Sequence, residues 1–220
     1  MKTVFIDWTE HSMYFYMFEK DSGLYQLFDT SSLPLKGWPD TEFLRSLPFD
    51  GCDEIYLSIP LDLLTLREHT FPFSDRDKIS DTISFELEGL VLGSVSDYVI
   101  DHIVIESYET GSKVLAVCME KTKLKNIIDI FSSADLEPKL VTSLDSRLCE
   151  GKSEVLLEAT ISDPAVRAEA AQREITEPLI NLRRDELAYL GDVVKFVGRL
   201  RLSAVLVLIF MMVLAVNFTF

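Results

Sequence analysis

The last nineteen residues, Leu202–Phe220, carry no charge and read "LSAVLVLIFMMVLAVNFTF". A bilayer core about 30 Å thick needs roughly 20 apolar residues in a helix. Leu202–Phe220 nearly meets that length, and Phe196 and Val197 extend the apolar character upstream. Leu, Ile, Val, Met and Phe fall on every face, as suits lipid better than the one-sided contact of a core helix. The stretch predicts a transmembrane helix over residues 191–220. A buried core helix is the alternative. Lys195, Arg199 and Arg201 precede the stretch. Positive residues stay on the cytoplasmic side, so these three set an orientation with the N-terminus inside and the C-terminus outside. No charged anchor follows Phe220, which suggests a further portion beyond it.

The charge of the rest fits a domain held apart from nucleic acid. The chain has 21 basic and 36 acidic residues, a net −15. After Pro178 there are five basic and three acidic residues, so that part is +2 and the remainder is −17. An acidic body repels phosphate backbones, which argues against nucleic-acid binding. Cys52, Cys118 and Cys149 are far apart and form no CxxC pair. They read as reduced thiols rather than as a metal or disulfide framework. His11, His69 and His102 are isolated, and no metal site is expected.

Alternation and turn residues give the remaining elements. "KTVFID", "MYFYMFE" and "LYQLFD" read as three strands of a meander, with "TSSLPLKGWP" as a following loop. Asp40 caps a short helix through Leu47. "EIYLSIP" and "LLTLREHTF" are strands. Ser74 or Asp75 then caps a helix whose stripe is Ile79, Ile83, Leu87 and Leu90. "YVIDHIVIES" and "KVLAVCME" are two more strands. A second amphipathic helix carries Leu124, Ile127, Ile128 and Phe131, and "LEPKLVTS" returns to a strand. This order predicts an α/β or α+β layer with a mixed sheet. "DPAVRAEAAQREI" predicts a helix opened by Pro164. Its small and charged residues suggest a solvated linker.

No enzyme signature emerges. Asp7 ends the first strand, the place where sugar kinases, Hsp70 and actin carry an Asp before a phosphate-holding hairpin. The turn here is "DWTEHS", with no glycine to let backbone approach phosphate and with an acidic Glu10. Glu86 and Glu88 stand two apart on a helix and do not face each other. Arg67 and His69 share a strand face without a nucleophile. "GSVS" at Gly93 lacks the lysine of a P-loop. No catalytic residue, cofactor or metal ligand is assigned.

Three stretches carry a resemblance. "IYLSIPLDLLTLREHTFPFSDRDKISDTISFELEGLV", "KTKLKNIIDIFSSADLEPKLVTSLDSRL" and "INLRRDELAYLG" occur in this order before the apolar tail. Together they resemble the actin-like cytoplasmic domain of type II secretion system protein L (GspL) and its type IV pilus counterpart PilM. Two departures are visible within the motifs: Asp135 and Asp185 stand where that family often has Gly. The resemblance covers about residues 1–148 and 178–220. It implies an actin-like (ribonuclease H-like) half domain with a mixed sheet over 1–148. A helical linker and juxtamembrane segment follows over 149–190, and the transmembrane helix over 191–220. The family's second actin-like half and its periplasmic domain find no counterpart.

The function implied is that of a platform protein, not an enzyme, in the bacterial inner membrane. It would cross the membrane once and recruit the cytoplasmic assembly ATPase, a protein E-like partner. The span would pair with a bitopic protein M-like partner, and a homodimer is possible within the same scheme. In the pilus relatives a short "INL"-type peptide of a separate membrane protein docks on the actin-like domain. Ile180, Asn181 and Leu182 are therefore docking candidates. The alternatives are an actin-like nucleotide-binding ATPase and an unrelated single-pass anchor or sensor.

Overall fold

In the computed structural model, residues 1–49, 51–148 and 163–193 are described. The expected span at Leu202–Phe220 and its flanking Lys195, Arg199 and Arg201 lie outside them. Among the described residues no helix is long and apolar enough to cross a membrane. The chain divides after Leu187, and the sheets and helices of the fold belong to the unit Met1–Leu187.

Strands β1 (Lys2–Trp8), β2 (Ser12–Asp21) and β3 (Leu24–Pro34) form an antiparallel meander. β4 (Glu54–Ser58) runs parallel to β1, and β8 (Leu140–Thr142) runs parallel to β4. The result is a five-stranded mixed sheet in the order β3-β2-β1-β4-β8. β1 is buried on both faces: Val4, Ile6 and Trp8 point one way, Phe5 and Asp7 the other. β3 runs on through "TSSLP", the stretch expected as a loop. It is the sheet's edge, so polar residues and a terminal proline are tolerated there.

A second sheet is separate and antiparallel, in the order β5 (Thr65–Phe71), β7 (Gly111–Glu120), β6 (Tyr98–Tyr108). The single mixed sheet expected from the element order is thus two sheets. Val99, Ile103, Leu115, Val117 and Met119 of the second sheet join Val4, Ile6, Phe15 and Leu57 of the first in one core. Helix α3 (Lys121–Ser132) contributes all four residues of its predicted stripe to that core. Helix α1 (Thr41–Arg45) packs Leu44 there and is capped by Asp40, whose Oδ1 accepts the Phe43 N–H at 2.7 Å. On the outer face of the second sheet lies α2 (Arg76–Glu86), capped by Asp75. Ile79, Ile83 and Leu87 are buried as expected. Leu90 is 48% exposed because the helix stops at Glu86 and the stripe loses its period.

The remaining face of the first sheet is covered by α5 (Pro164–Thr176), which follows the short α4 (Leu144–Leu148) in the described chain. This corrects the expectation of a solvated linker helix. Ala168, Ala170, Ala171 and Ile175 pack on Phe5, Tyr16, Phe18, Tyr25 and Tyr56. Alanines let the helix approach large aromatics closely, so a face of small residues fills the layer.

Candidate functional site

Two features stand out: a buried charge cluster around Asp7, and the segment after α5.

Asp7 is fully buried at the end of β1. Arg167 on α5 meets it with two parallel bonds: Nε donates to Asp7 Oδ2 at 2.6 Å and Nη2 to Oδ1 at 2.9 Å. The third arm of the guanidinium, Nη1, donates to Asp145 Oδ1 at 2.8 Å. Two residues further along α4, Arg147 pairs with Glu174, the residue seven beyond Arg167 on α5. Glu174 is fully buried and also accepts from Thr142 Oγ1 at 3.0 Å. The two helices therefore exchange charges: acid then base on α4, base then acid on α5. Burial pushes the Asp7 carboxyl above the usual carboxylate range, and the Arg167 bonds and charge oppose it. Burial disfavours the Arg167 guanidinium, yet its bonds and charge pairing with Asp7 and Asp145 hold its pKa above the ordinary arginine range. The bidentate geometry makes the pair ionic. The Asp that ends β1 is thus tied to an internal arginine.

The segment after α5 runs as a strap over Pro178–Leu187. The docking candidates lie within it. Ile180 and Leu182 are almost wholly buried in the core shared by the two sheets. The Leu182 N–H donates to the Val141 carbonyl at 2.8 Å, on β8, the last strand of the first sheet. Asn181, between them, turns the other way. Its N–H donates to Asp101 Oδ2 at 2.8 Å on β6, and its Oδ1 accepts the Arg183 N–H at 2.9 Å. Arg183 is buried and donates to the Pro138 carbonyl and the Leu187 carbonyl, each at 2.7 Å. Arg184 Nη1 donates to Asp101 Oδ1 at 2.7 Å. Upstream, the Leu179 N–H donates to the Glu174 carboxylate at 3.3 Å. The strap thus bridges an edge strand of one sheet to an edge strand of the other, and α5 holds its start.

Of the three cysteines, Cys149 lies outside the described residues. Among the described residues no cluster could hold a metal ion. His69 Nε2 lies 3.3 Å from Glu86 at a partly exposed surface, and Arg67 donates to the Leu90 and Leu66 carbonyls. Cys118 is buried and its thiol is pushed up to about 11 by burial, while Cys52 is half-buried. Of the charge cluster, sequence reasoning singles out Asp7 and misses Asp145, Arg147, Arg167 and Glu174. Arg167 and Glu174 read as surface charges, and only their seven-residue spacing on the alanine face hints at burial. His102 reads as isolated. It is buried beside the strap, and burial holds its pKa below the ordinary histidine value against the pull of Asp101.

Asp135 and Asp185, the two positions where the resembling family often carries Gly, have φ of +60° and +50°. Both are left-handed conformations, where Gly is unstrained and Asp is among the better tolerated substitutes. The two departures from the motifs are therefore conservative in backbone terms.

The layering is that of a mixed-sheet α/β domain. No protein-family model matches the chain, and no curated protein matches it in sequence. Among solved structures it is similar to the PilM–PilN type IV pilus biogenesis complex, with a TM-score of 0.52 and 12% identity over 68% of this chain and 51% of that one. It is also similar to the cytoplasmic domain of EpsL, an inner membrane component of the type II secretion system of Vibrio cholerae. There the TM-score is 0.48 and the identity 12%, over 66% of this chain and 58% of that one. The chain spans little more than half the length of the solved chains it matches. At this identity the likeness is one of fold, and in fold the resemblance drawn from the three sequence stretches holds.

Proposed function

We propose that this chain is an inner-membrane platform component of type II secretion or type IV pilus-like machinery, and that its domain recruits the cytoplasmic assembly ATPase. The observation that supports this best is the strap. It lays an "INL" peptide between two sheet edges, in a domain similar in fold to part of a chain of the PilM–PilN pilus biogenesis complex. The burial of Ile180 and Leu182 supports reading the strap as the counterpart, within one chain, of the groove-and-peptide arrangement expected between separate chains in the pilus relatives. The apolar tail would then hold the domain at the membrane with the N-terminus in the cytoplasm, and tethering would raise the local concentration of whatever the domain binds. A bitopic protein M-like partner is assigned to the span.

The reading is non-enzymatic. The bonding of Asp7 to Arg167 supports it, since a phosphate or magnesium ion at Asp7 would have to displace a buried guanidinium. The test is affinity purification of the tagged full chain from solubilised membranes. The secretion ATPase is expected to co-purify, and its absence from a preparation of folded chain would refute the recruiting role. Titration with Mg-ATP separates the nucleotide-binding alternative, for which saturable micromolar binding is required.

A further inference from the structure

His102 is 2% exposed, and neither ring nitrogen has a hydrogen-bond partner. The nearest carboxylate oxygen, Asp101 Oδ1, is 4.0 Å from Nδ1. An imidazole always has at least one N–H to donate, and a buried donor left unpaired is costly. The ring borders a cavity of about 360 Å³ that is also lined by Arg76, Asp77, Ser80, Asp101, Asn181 and Arg184. Three elements meet there: the N-terminal turn of α2, the strand β6, and the strap.

The acids at this cavity are unequal. Asp101 is fully engaged: Oδ1 accepts from the His102 backbone N–H at 2.9 Å and from Arg184, and Oδ2 from the Asn181 N–H. Asp75 does not line the cavity and uses its Oδ1 to accept the Asp77 and Lys78 N–H groups of α2. Asp77 is exposed at the rim. On the basic side, Arg76 is exposed at the first position of α2 and forms no salt bridge among the described residues. Arg184 reaches Ser80 Oγ only at 3.5 Å with its second arm. With His102 neutral, two arginines face two carboxylates. With His102 protonated the cavity is positive by one, at the positive end of a helix dipole.

We infer that this cavity is a binding site for a small oxyanion of the sulfate or phosphate class. The His102 ring N–H, Arg76 and Arg184 are its donors, and Asp77 opposes it at the rim. The strap supplies Asn181 and Arg184, so the site is complete only when the strap is docked. By linkage, an anion bound there holds the strap in place, and a docked strap raises affinity for the anion. Free phosphate and a phospholipid headgroup present the same chemistry.

The test uses the full chain in neutral detergent micelles. Sulfate is titrated calorimetrically against chloride at matched ionic strength; sulfate keeps its charge between mildly acidic and neutral pH, so any pH effect belongs to the protein. Saturable binding is expected, severalfold tighter at about pH 5 than at about pH 7.5; the acidic arm lies well below the ordinary histidine pKa of about 6.5 because burial holds His102 below that value. Arg76→Ala, an exposed residue, should weaken it at least tenfold, and His102→Gln should remove the pH dependence. Saturating sulfate should slow proteolysis within residues 176–184 severalfold in the wild type and not in Arg76→Ala. The absence of saturable binding, or binding unchanged by Arg76→Ala, would overturn the site. Inorganic phosphate compared with phosphatidylglycerol doped into the micelles then identifies the source, protection by either one being in accord with the assignment.

Discussion

Replacing Arg167 by Ala leaves the Asp7 carboxylate fully buried with no cation beside it. Removing one partner of a buried pair costs about 3–5 kcal/mol, because the other charge is stranded away from water. Arg167 also bonds Asp145, whose side chain is 19% exposed and can recover some hydration. The upper part of that range therefore rests on Asp7. Burial already pushes the Asp7 carboxyl upward, and Arg167 is the main group that opposes it, with a smaller contribution from the Ser58 hydroxyl. Without Arg167 the folded-state pKa must rise far above the unfolded value of about 3.9. A carboxyl raised on folding contributes stability at low pH that is lost as pH rises from the unfolded pKa through the folded one. The variant should thus regain stability on acidification by about 1.4 kcal/mol per pH unit within that window.

The assay is urea unfolding of the full chain followed by far-ultraviolet circular dichroism between about pH 5 and pH 8, above the unfolded carboxylate pKa. Arg167→Ala should be least stable at the alkaline end and recover toward the acidic end. Asp7→Asn combined with Arg167→Ala should be more stable than Arg167→Ala at the alkaline end and should lack the recovery, since no carboxyl remains to titrate there. A single variant within about 1 kcal/mol of wild type at the alkaline end, or one with no recovery on acidification, would refute the ionic account of this cluster.

Leu182→Ala with Asn181→Ala removes a fully buried leucine from the core and should cost about 2–5 kcal/mol in the strap's docking. Protease cleavage within residues 176–184 should rise steeply while circular dichroism shows the sheets intact, and unchanged cleavage would make the strap a plain tether. At Asp135, with φ of +60°, substitution by Gly should leave stability unchanged or raise it by up to about 1 kcal/mol, whereas Val should lower it by about 1–2 kcal/mol. Thermal unfolding of the two variants measures this directly.

How far each element is legible in the sequence depends on how much of its burial is apolar. The apolar run of "KTVFID" reads as a strand, and β1 proves to be one, buried on both faces. Leu124, Ile127, Ile128 and Phe131 mark α3, and Asp40 and Asp75 mark two helix starts. Ile180, Asn181 and Leu182 are singled out in the sequence through the family resemblance, and the apolar Ile180 and Leu182 prove to be buried. The burial of α5 is not legible, because its buried face consists of alanines and of Arg167 and Glu174. Charged side chains signal solvent unless their partners are known, and Asp7, Asp145 and Arg147 lie at distant points of the chain. The split into two sheets is likewise hidden. Strand existence is a local pattern, whereas pairing depends on which edges meet, and that is decided by the cores on either side of β5, β6 and β7.

The charge pairs also explain why a helix with so smooth a face sits in one register. Alanines on aromatics resist sliding poorly, since a shift of one turn, about 5.4 Å, brings similar small residues to the same surface. Arg167 and Glu174 are seven residues apart, two turns along one face, and their partners Asp145 and Arg147 are fixed on α4. A one-turn slip would strand both Asp7 and Glu174, each of them fully buried. The cost of two stranded acids exceeds anything the alanine contacts could return. Glu174 then accepts the Leu179 N–H, so the register of α5 also sets where the strap begins. Ile180 and Leu182 reach the core only from that starting point. The buried acid at the end of β1 and the docked peptide are therefore two ends of one constraint. Loss of Arg167 should loosen the strap as well as the helix. Proteolysis within residues 176–184 of Arg167→Ala should accordingly rise at the alkaline end of the range and fall back at the acidic end, and cleavage indifferent to pH would separate the strap from the cluster.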